Sequence, residues 1–394
     1  MTLLQFDWLK GQQLAAVLAA LDKAGGEVRV VGGAVRDALL GRPIGDIDLA
    51  TTLRPEQVVT ALDQAGLKAV PTGLAHGTVT AVSDGVPFEI TTLRRDVQTD
   101  GRHAVVAYTT DWQEDAARRD FTINAMSLSL AGKLFDYFDG QKDLTAGVVR
   151  FVGDPATRIR EDVLRILRFF RFHAQCGQGS PDATGMAACL ELAPLLKNLS
   201  AERVRNELLK LLATPNPLIS WRPMVEGGVL AALDLPLANL SALESLVALE
   251  APLGRVDALR RLAAVAAVGV HPDFLAQCLR LSNAQFNRLD KMMTALSLPA
   301  DYKAYTQFAY RHGAEALIDR LFLSGLITEA LLQKFSAWQP PAFPLSGGDV
   351  LALGAEGEEV GRILNAVENS WLNSNFALTK DECLALARQA QGGA

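Results

Sequence analysis

The sequence predicts an α+β head followed by an all-helical remainder, and three observations predict it. Residues 28–50 read as strand, glycine turn, short helix and strand: the β-branched Val28, Val30 and Val31 meet Gly32-Gly33, and the chain returns through Asp46-Ile47-Asp48. Residues 77–82 and 86–92 are strand-like runs split by Ser83-Asp84-Gly85, the pattern of a hairpin. From about residue 155 the apolar spacing is helical to the C-terminus, with breaks at 177–181, 215–217, Gly227-Gly228, Pro272, Pro299 and 340–344.

A chain of 394 residues exceeds what one hydrophobic core organises. The expected division is a head over residues 1–140, a helical neck over 141–205, and a helical body and tail over 206–394. With 49% hydrophobic and 21% charged residues and no fixed-period repeat, the whole chain is expected to fold. A formal charge of −6 means that any contact with a polyanion must come from a local basic patch. Cys176, Cys189, Cys278 and Cys383 lack CxxC spacing, which argues against zinc and against a disulfide framework, so they read as reduced, buried thiols. Asp7 and Lys10 interrupt the N-terminal apolar stretch, and no apolar run reaches the roughly 18 residues of a membrane span. The expected location is the cytoplasm.

Taken in order, residues 9–24 form an amphipathic helix with Leu14, Val17, Leu18 and Leu21 on one stripe, closing at Gly25-Gly26. A second helix starts near residues 51–56, with Thr52 as candidate cap and Pro55 in the first turn, and runs to Ala65. Residues 94–117 are charged and aperiodic and read as a long mobile loop. Order resumes at 118–126 as a helix start leading to a last strand near 127–130, and residues 136–140 close the α/β part.

Two constellations carry chemistry. In the first, Gly32 and Gly33 let backbone approach a phosphate group, while Asp46 and Asp48, one residue apart on an extended strand, place two carboxylates on the same face. Carboxylates that close repel each other unless cations lie between them, and a pair of divalent cations suits an in-line phosphoryl displacement. Glu89, between Phe88 and Ile90, is an acid on a strand expected beside theirs. In the second, Arg158, Glu161, Asp162, Arg165 and Arg168 fall on one face of a helix whose other face carries Ile159, Val163, Ile166, Leu167 and Phe170. That face is either a solvated row of ion pairs or the wall of a pocket; in a pocket Asp162 only accepts and Arg165 only donates. His76, His103, His173, His271 and His312 show no HxxxH or HD pairing, so no metal-dependent phosphohydrolase domain is expected.

GGAVRD at 32–37, DID at 46–48, ARRDFTINAM at 117–126 and REDVLRILR at 160–168, in this order, resemble the class II tRNA nucleotidyltransferase family of the DNA polymerase beta superfamily, which comprises CCA-adding enzymes and bacterial poly(A) polymerases. The resemblance spans residues 28–172. It implies a polymerase-beta-like mixed sheet with helices, template-independent addition of C, C and A to tRNA 3′ ends from CTP and ATP, and Mg²⁺ as cofactor. It also implies roles for matching positions. Gly32, Gly33 and Arg36 would contact the triphosphate, with Asp37 supporting the turn, and Asp46 and Asp48 would bind metal. Glu89 falls where the superfamily often has a third carboxylate, the alternative being a solvated acid at the sheet. Arg119 and Asp120 would lie near the incoming ribose, with Asn124 on the same helix face as Asp120. Arg94, Arg95 and Arg102 would belong to the family's flexible loop. Asp162 and Arg165, supported by Glu161, would read the Watson–Crick edges of C and A as a protein template, and Arg168 would also bind the nucleotide. Arg158, Arg160 and Arg171 either reach RNA phosphates or form ordinary salt bridges. A poly(A) polymerase, a CC-adding or A-adding specialist and a noncatalytic RNA-binding protein stay as alternatives.

Overall fold

The computed structural model describes residues 4–74, 77–99, 104–294 and 301–392. His76, Arg102, His103 and Pro299 lie outside them. The chain divides into two compact units, Met1–Leu240 and Ser241–Ala394.

The first unit opens with α1 (Gln12–Lys23), which buries the expected stripe Leu14, Val17, Leu18 and Leu21. β1 (Val28–Val31) leads to α2 (Gly33–Leu39) through Gly32, whose φ of 69° lies in the left-handed region where side chains with a Cβ are strained. The chain returns as β2 (Asp48–Thr51), then α3 (Pro55–Gln64), β3 (Lys68–Gly73), β4 (Thr78–Ser83) and β5 (Val86–Thr92). β4 and β5 form the expected hairpin, with Asp84 at φ 47° and Gly85 at φ 81°, the two left-handed residues of a tight β-turn. α3 is capped from Arg54 rather than Thr52, because the Thr52 hydroxyl accepts instead from the Glu27 N–H, which ties the helix entry to β1.

Residues 94–117 are not the loop expected. β6 (Arg94–Thr99) and β7 (Ala104–Tyr108) make a separate two-stranded ribbon, and α4 (Trp112–Ala117) follows, capped by the Asp111 carboxylate. A ribbon that builds no sheet face of its own needs no apolar alternation, so periodicity is silent about it. β8 (Ser127–Leu128) and β9 (Leu134–Phe135) complete a seven-stranded sheet in the order β3-β4-β5-β2-β1-β8-β9. The β2/β5 pair is parallel and every other neighbour is antiparallel.

Six helices finish this unit: α5 (Gly140–Thr145), α6 (Pro155–Glu161), α7 (Arg165–Cys176), α8 (Ala183–Leu192), α9 (Ala201–Leu212) and α10 (Leu218–Glu226). Neither boundary drawn from the sequence is a break in the fold. Across residue 140, Phe121 bridges to Phe151 and the rings of Phe121, Phe151, Phe169 and Phe172 pack in stacked, tilted and edge-on pairs with centroids 4.8–6.2 Å apart, so head and neck share a core. Residue 205 lies inside α9, whose apolar face packs on α7.

The second unit is helical. α11 (Leu240–Leu253), α12 (Ala258–Val265), α15 (Tyr302–His312), α16 (Ala314–Leu323) and α17 (Glu329–Ser336) gather around Leu317, Leu321, Phe322 and Phe335, while α13 (Pro272–Leu279) packs on α14 (Asn283–Met293), which packs on α12 and α16. α18 (Gly347–Leu351), α19 (Glu358–Asn373) and α20 (Lys380–Gly392) close around Ile363, Val367, Trp371 and Cys383. All four cysteines are free; Cys278 is half-buried where burial was expected.

Candidate active site

A polar cleft of about 740 Å³ opens in the first unit. The strand-to-helix turn supplies Gly32 and Gly33, β2 supplies Asp48, the chain after α4 supplies Arg119, Asp120 and Asn124, and the α6–α7 junction and α7 supply Asp162, Arg165 and Arg168. Residues that sequence spacing keeps over a hundred positions apart therefore share one wall.

At the sheet end, Asp48 is the register partner of Glu89 across the parallel β2/β5 pair, and Asp46 precedes the strand. The three acids are exposed while Leu49, Phe88 and Ile90 beside them are buried. The Asp48 pKa is pushed up to about 6, by desolvation first and by the Glu89 carboxylate second, with Arg119 opposing and Asp46 adding to the rise. Among the described residues no group of three His, Cys, Asp or Glu side chains closes into a preformed metal cage. Mg²⁺ needs none: it is usually held by one or two carboxylates together with water and substrate phosphates. Carboxylate oxygens set close enough to raise the proton affinity of Asp48 fit a hard divalent cation.

A chain of hydrogen bonds crosses the cleft floor. Arg36 donates through Nε and Nη2 to both oxygens of Asp37, at 3.0 and 2.9 Å, and through Nη1 to Asn124 Oδ1 at 2.8 Å. Asn124 donates to Asp120 Oδ1 at 3.0 Å, and Arg168 Nε donates to Asp120 Oδ2 at 2.7 Å. Glu207 then joins Arg168 to Arg171. Burial pushes the Asp120 carboxyl up, but the Arg168 charge and the bonds from Asn124, Arg168 and the Phe121 N–H outweigh it and hold the group below the usual range. Asp120 and Asn124 do meet, though not on the helix expected: α4 ends at Ala117 and Asn124 sits in a 3₁₀ turn (Thr122–Asn124). Arg119 lies 3.4 Å from where a Cβ on Gly32 would stand and pairs with Asp115 at 3.3 Å.

The second constellation is also not on one helix. α6 ends at Glu161, Asp162 has φ −150° and ψ 104°, and α7 starts at Arg165. The Asp162 carboxylate turns back to accept from the Leu164 N–H at 3.1 Å, a side-chain bond that competes with helix continuation. Arg203 Nη2 donates to both Asp162 oxygens, at 3.0 and 2.8 Å. Arg165 Nη1 donates to Glu161 and to the Arg158 carbonyl, and Nη2 to the Arg118 carbonyl. With two acceptor sites per carboxylate oxygen and five N–H groups per guanidinium, Asp162 keeps one lone pair, on Oδ2, and Arg165 keeps Nε–H and one Nη2–H among the described residues. One acceptor beside two donors complements a base edge that offers an amino group next to ring acceptors. Arg158 pairs with Glu161, Arg160 with Glu191 and Arg171 with Glu207, which is the salt-bridging alternative for these three.

Sequence reasoning missed Arg203, Glu207 and Lys210. They recur at helical spacing on α9, and Lys210 reaches the cleft. The stripe is visible in the sequence, but its partners on α6 and α7 are not.

Comparison with known proteins places this architecture. Residues 28–150 match the family described as Poly A polymerase head domain, and residues 182–237 match one described as Probable RNA and SrmB- binding site of polymerase A. The mitochondrial CCA tRNA nucleotidyltransferase 1 of Danio rerio is 37% identical over 98% of this chain and 93% of its own length. This chain belongs to the CCA tRNA nucleotidyltransferase family. The human enzyme of that name is 36% identical over 98% of this chain and 92% of its own. The crystal structure of the Bacillus stearothermophilus CCA-adding enzyme in complex with CTP superposes with a TM-score of 0.79 at 28% identity, covering 97% of both chains. The membership makes the chain an enzyme of the nucleotidyltransferase type, on a polymerase-head sheet followed by helices, in a superfamily that generally uses divalent metal. No helix among the described residues is long and apolar enough to cross a membrane.

Proposed function

We propose that this protein adds C, C and A to the 3′ ends of tRNA from CTP and ATP, with Mg²⁺ held by Asp46 and Asp48. One observation carries the reading: a single cleft joins Asp48 on the sheet to Asp162 and Arg165 at the helix junction, so triphosphate chemistry and base choice share one substrate. Asp46 and Asp48 would hold the metal, which would supply Lewis acidity toward the attacking 3′-hydroxyl and positive charge beside the departing pyrophosphate. The turn at Gly32-Gly33 and Arg119 border the phosphates. Asp120, spent on Arg168 and Asn124, fixes the floor under the ribose. Asp162 accepts from the amino group of C or A, and Arg165 donates to the ring acceptors beside it. U and G put an oxygen where Asp162 requires a donor and are refused.

The deciding assay incubates purified protein with tRNA lacking its last one, two or three nucleotides and each NTP alone. C should be added twice from CTP and A once from ATP. Long A tracts would instead establish a poly(A) polymerase, and no incorporation under any metal would leave a binding protein. Asp162→Ala or Arg165→Ala should relax or abolish base choice with metal binding intact.

The Asp48 pKa sets a pH dependence. A carboxyl raised to about 6 from 3.8 takes up its proton more readily folded than unfolded, so its contribution to stability is full below about pH 4 and lost as pH rises through 6. Activity runs the opposite way, because the proton competes with the cation. At subsaturating Mg²⁺, kcat/KM should rise from pH 5 to a plateau above about 7, and more Mg²⁺ should move the midpoint down. A midpoint indifferent to metal concentration would speak against Asp48 as a ligand.

A further inference from the structure

We propose that Arg203 is a positioning residue that sets nucleotide choice, by chelating the Asp162 carboxylate so that one acceptor direction is left for the incoming base. The inference rests on the reading of Asp162 and Arg165 as the base-recognising pair and extends it to a residue on another helix. Arg203 does not line the cleft; it acts through Asp162.

The argument is geometric. Asp162 stands where α6 has just ended, with an extended backbone, and its carbonyl accepts from the Arg165 N–H in the turn that opens α7, which fixes the main chain but leaves the carboxylate torsion unset. Left alone, a carboxylate there rotates about its terminal torsion and accepts in several directions. Two contacts remove that freedom. The Leu164 N–H holds Oδ1 from the chain itself, and Arg203 Nη2 holds both oxygens from α9. α9 is in turn fixed against α7 one helical turn further on, where the buried Glu207 takes Arg171 and faces Arg168. Arg203 is thus mounted on a helix that is itself clamped to the element carrying Arg165 and Arg168. The acceptor and the donors of the base pocket are held in one frame, although they lie on opposite sides of a helix break.

Loss of Arg203 frees lone pairs that water then occupies. A water molecule donates as readily as it accepts, so a water-bridged contact satisfies the carbonyl of U as well as the amino group of C. The expected consequence is lost discrimination with the fold and the metal end of the cleft unaffected.

The test compares kcat/KM for CTP and UTP, and for ATP and GTP, on tRNA ending at the appropriate position, in Arg203→Met, Arg203→Gln and Arg203→Lys, together with thermal melts. In the Met and Gln variants the C-over-U preference should fall by about tenfold or more, the scale of one good base contact, with the melting temperature held. Lys restores part of it, since an ammonium supplies charge but not a planar fork. The same Arg203 substitutions in an Asp162→Asn background should cause no further loss of preference, a coupling that a merely structural role does not produce. A wild-type C-over-U ratio in every folded Arg203 variant overturns the inference, as does an undiminished Arg203 effect in the Asp162→Asn background. If Asp162→Asn itself leaves the ratio unchanged, the base-recognition reading fails first, and the inference falls with it.

Discussion

Asp48→Ala should reduce nucleotide incorporation by about a thousandfold or more, the scale of several kcal/mol of metal-assisted charge stabilisation. The substitution removes no packing group. Asp48 begins β2 with its side chain exposed, and the sheet contacts on either side of it run through the backbone to Val31 and Glu89. Without metal the variant should be as stable as the parent, because it also removes a carboxylate facing Glu89 and Asp46. What it should lose is the stabilisation that the parent gains from Mg²⁺ by mass action. Single-turnover extension and thermal melts with and without Mg²⁺ check both halves. Activity within tenfold of the parent would remove Asp48 from the chemistry.

The second large effect concerns stability. Glu250 on α11 is fully buried and accepts from Arg260 Nε at 2.9 Å and from Arg261 Nε at 2.6 Å. Arg261 is itself fully buried and Arg260 nearly so; Arg260 also reaches Asp319 at 3.2 Å. Glu250→Ala leaves two interior guanidinium groups without their shared counter-charge, a change that costs about 3–5 kcal/mol. In a helical unit of this size that is a fall in Tm of order 10 °C. Glu250→Gln, which keeps an acceptor oxygen without the charge, should fall between. Calorimetry of the full chain reads the result, and a loss below about 1 kcal/mol for the alanine variant would mean that water or relaxation screens the pair.

What was legible in the sequence follows from what is local. β1, the Gly32 turn and the β4/β5 hairpin each announce themselves within a few residues, by β-branching, an obligatory glycine or strict alternation; the return strand was placed too early, since β2 begins at Asp48 and Asp46 lies before it rather than on the same strand. The strand carrying Glu89 was legible too, because an acid between Phe88 and Ile90 keeps strand alternation and puts Glu89 on the face opposite the buried pair. β3 was missed: it is the sheet's edge strand and holds Pro71, tolerated there but uninformative. The break at Asp162 was missed because charges at 158, 161, 162, 165 and 168 keep helical spacing straight across it. The α9 partners and the Glu250 cluster were invisible for a different reason: an arginine's acid is chosen by packing between helices, which no pattern within one helix records.

The sheet's connectivity has a consequence for how the protein reaches its active form. Its strand β1 pairs Val30 with Leu128, and the central strand β2 meets β5 in parallel, so the acidic end of the cleft exists only after two closures between distant parts of the chain. Loop closure of that length comes before any contact that rewards it, whereas the helix pairs of the second unit join near neighbours in sequence and form quickly. The setting of residues 46 and 48 is therefore complete only once the β5 and β8 segments, roughly 40 and 80 residues further along the chain, have joined the sheet.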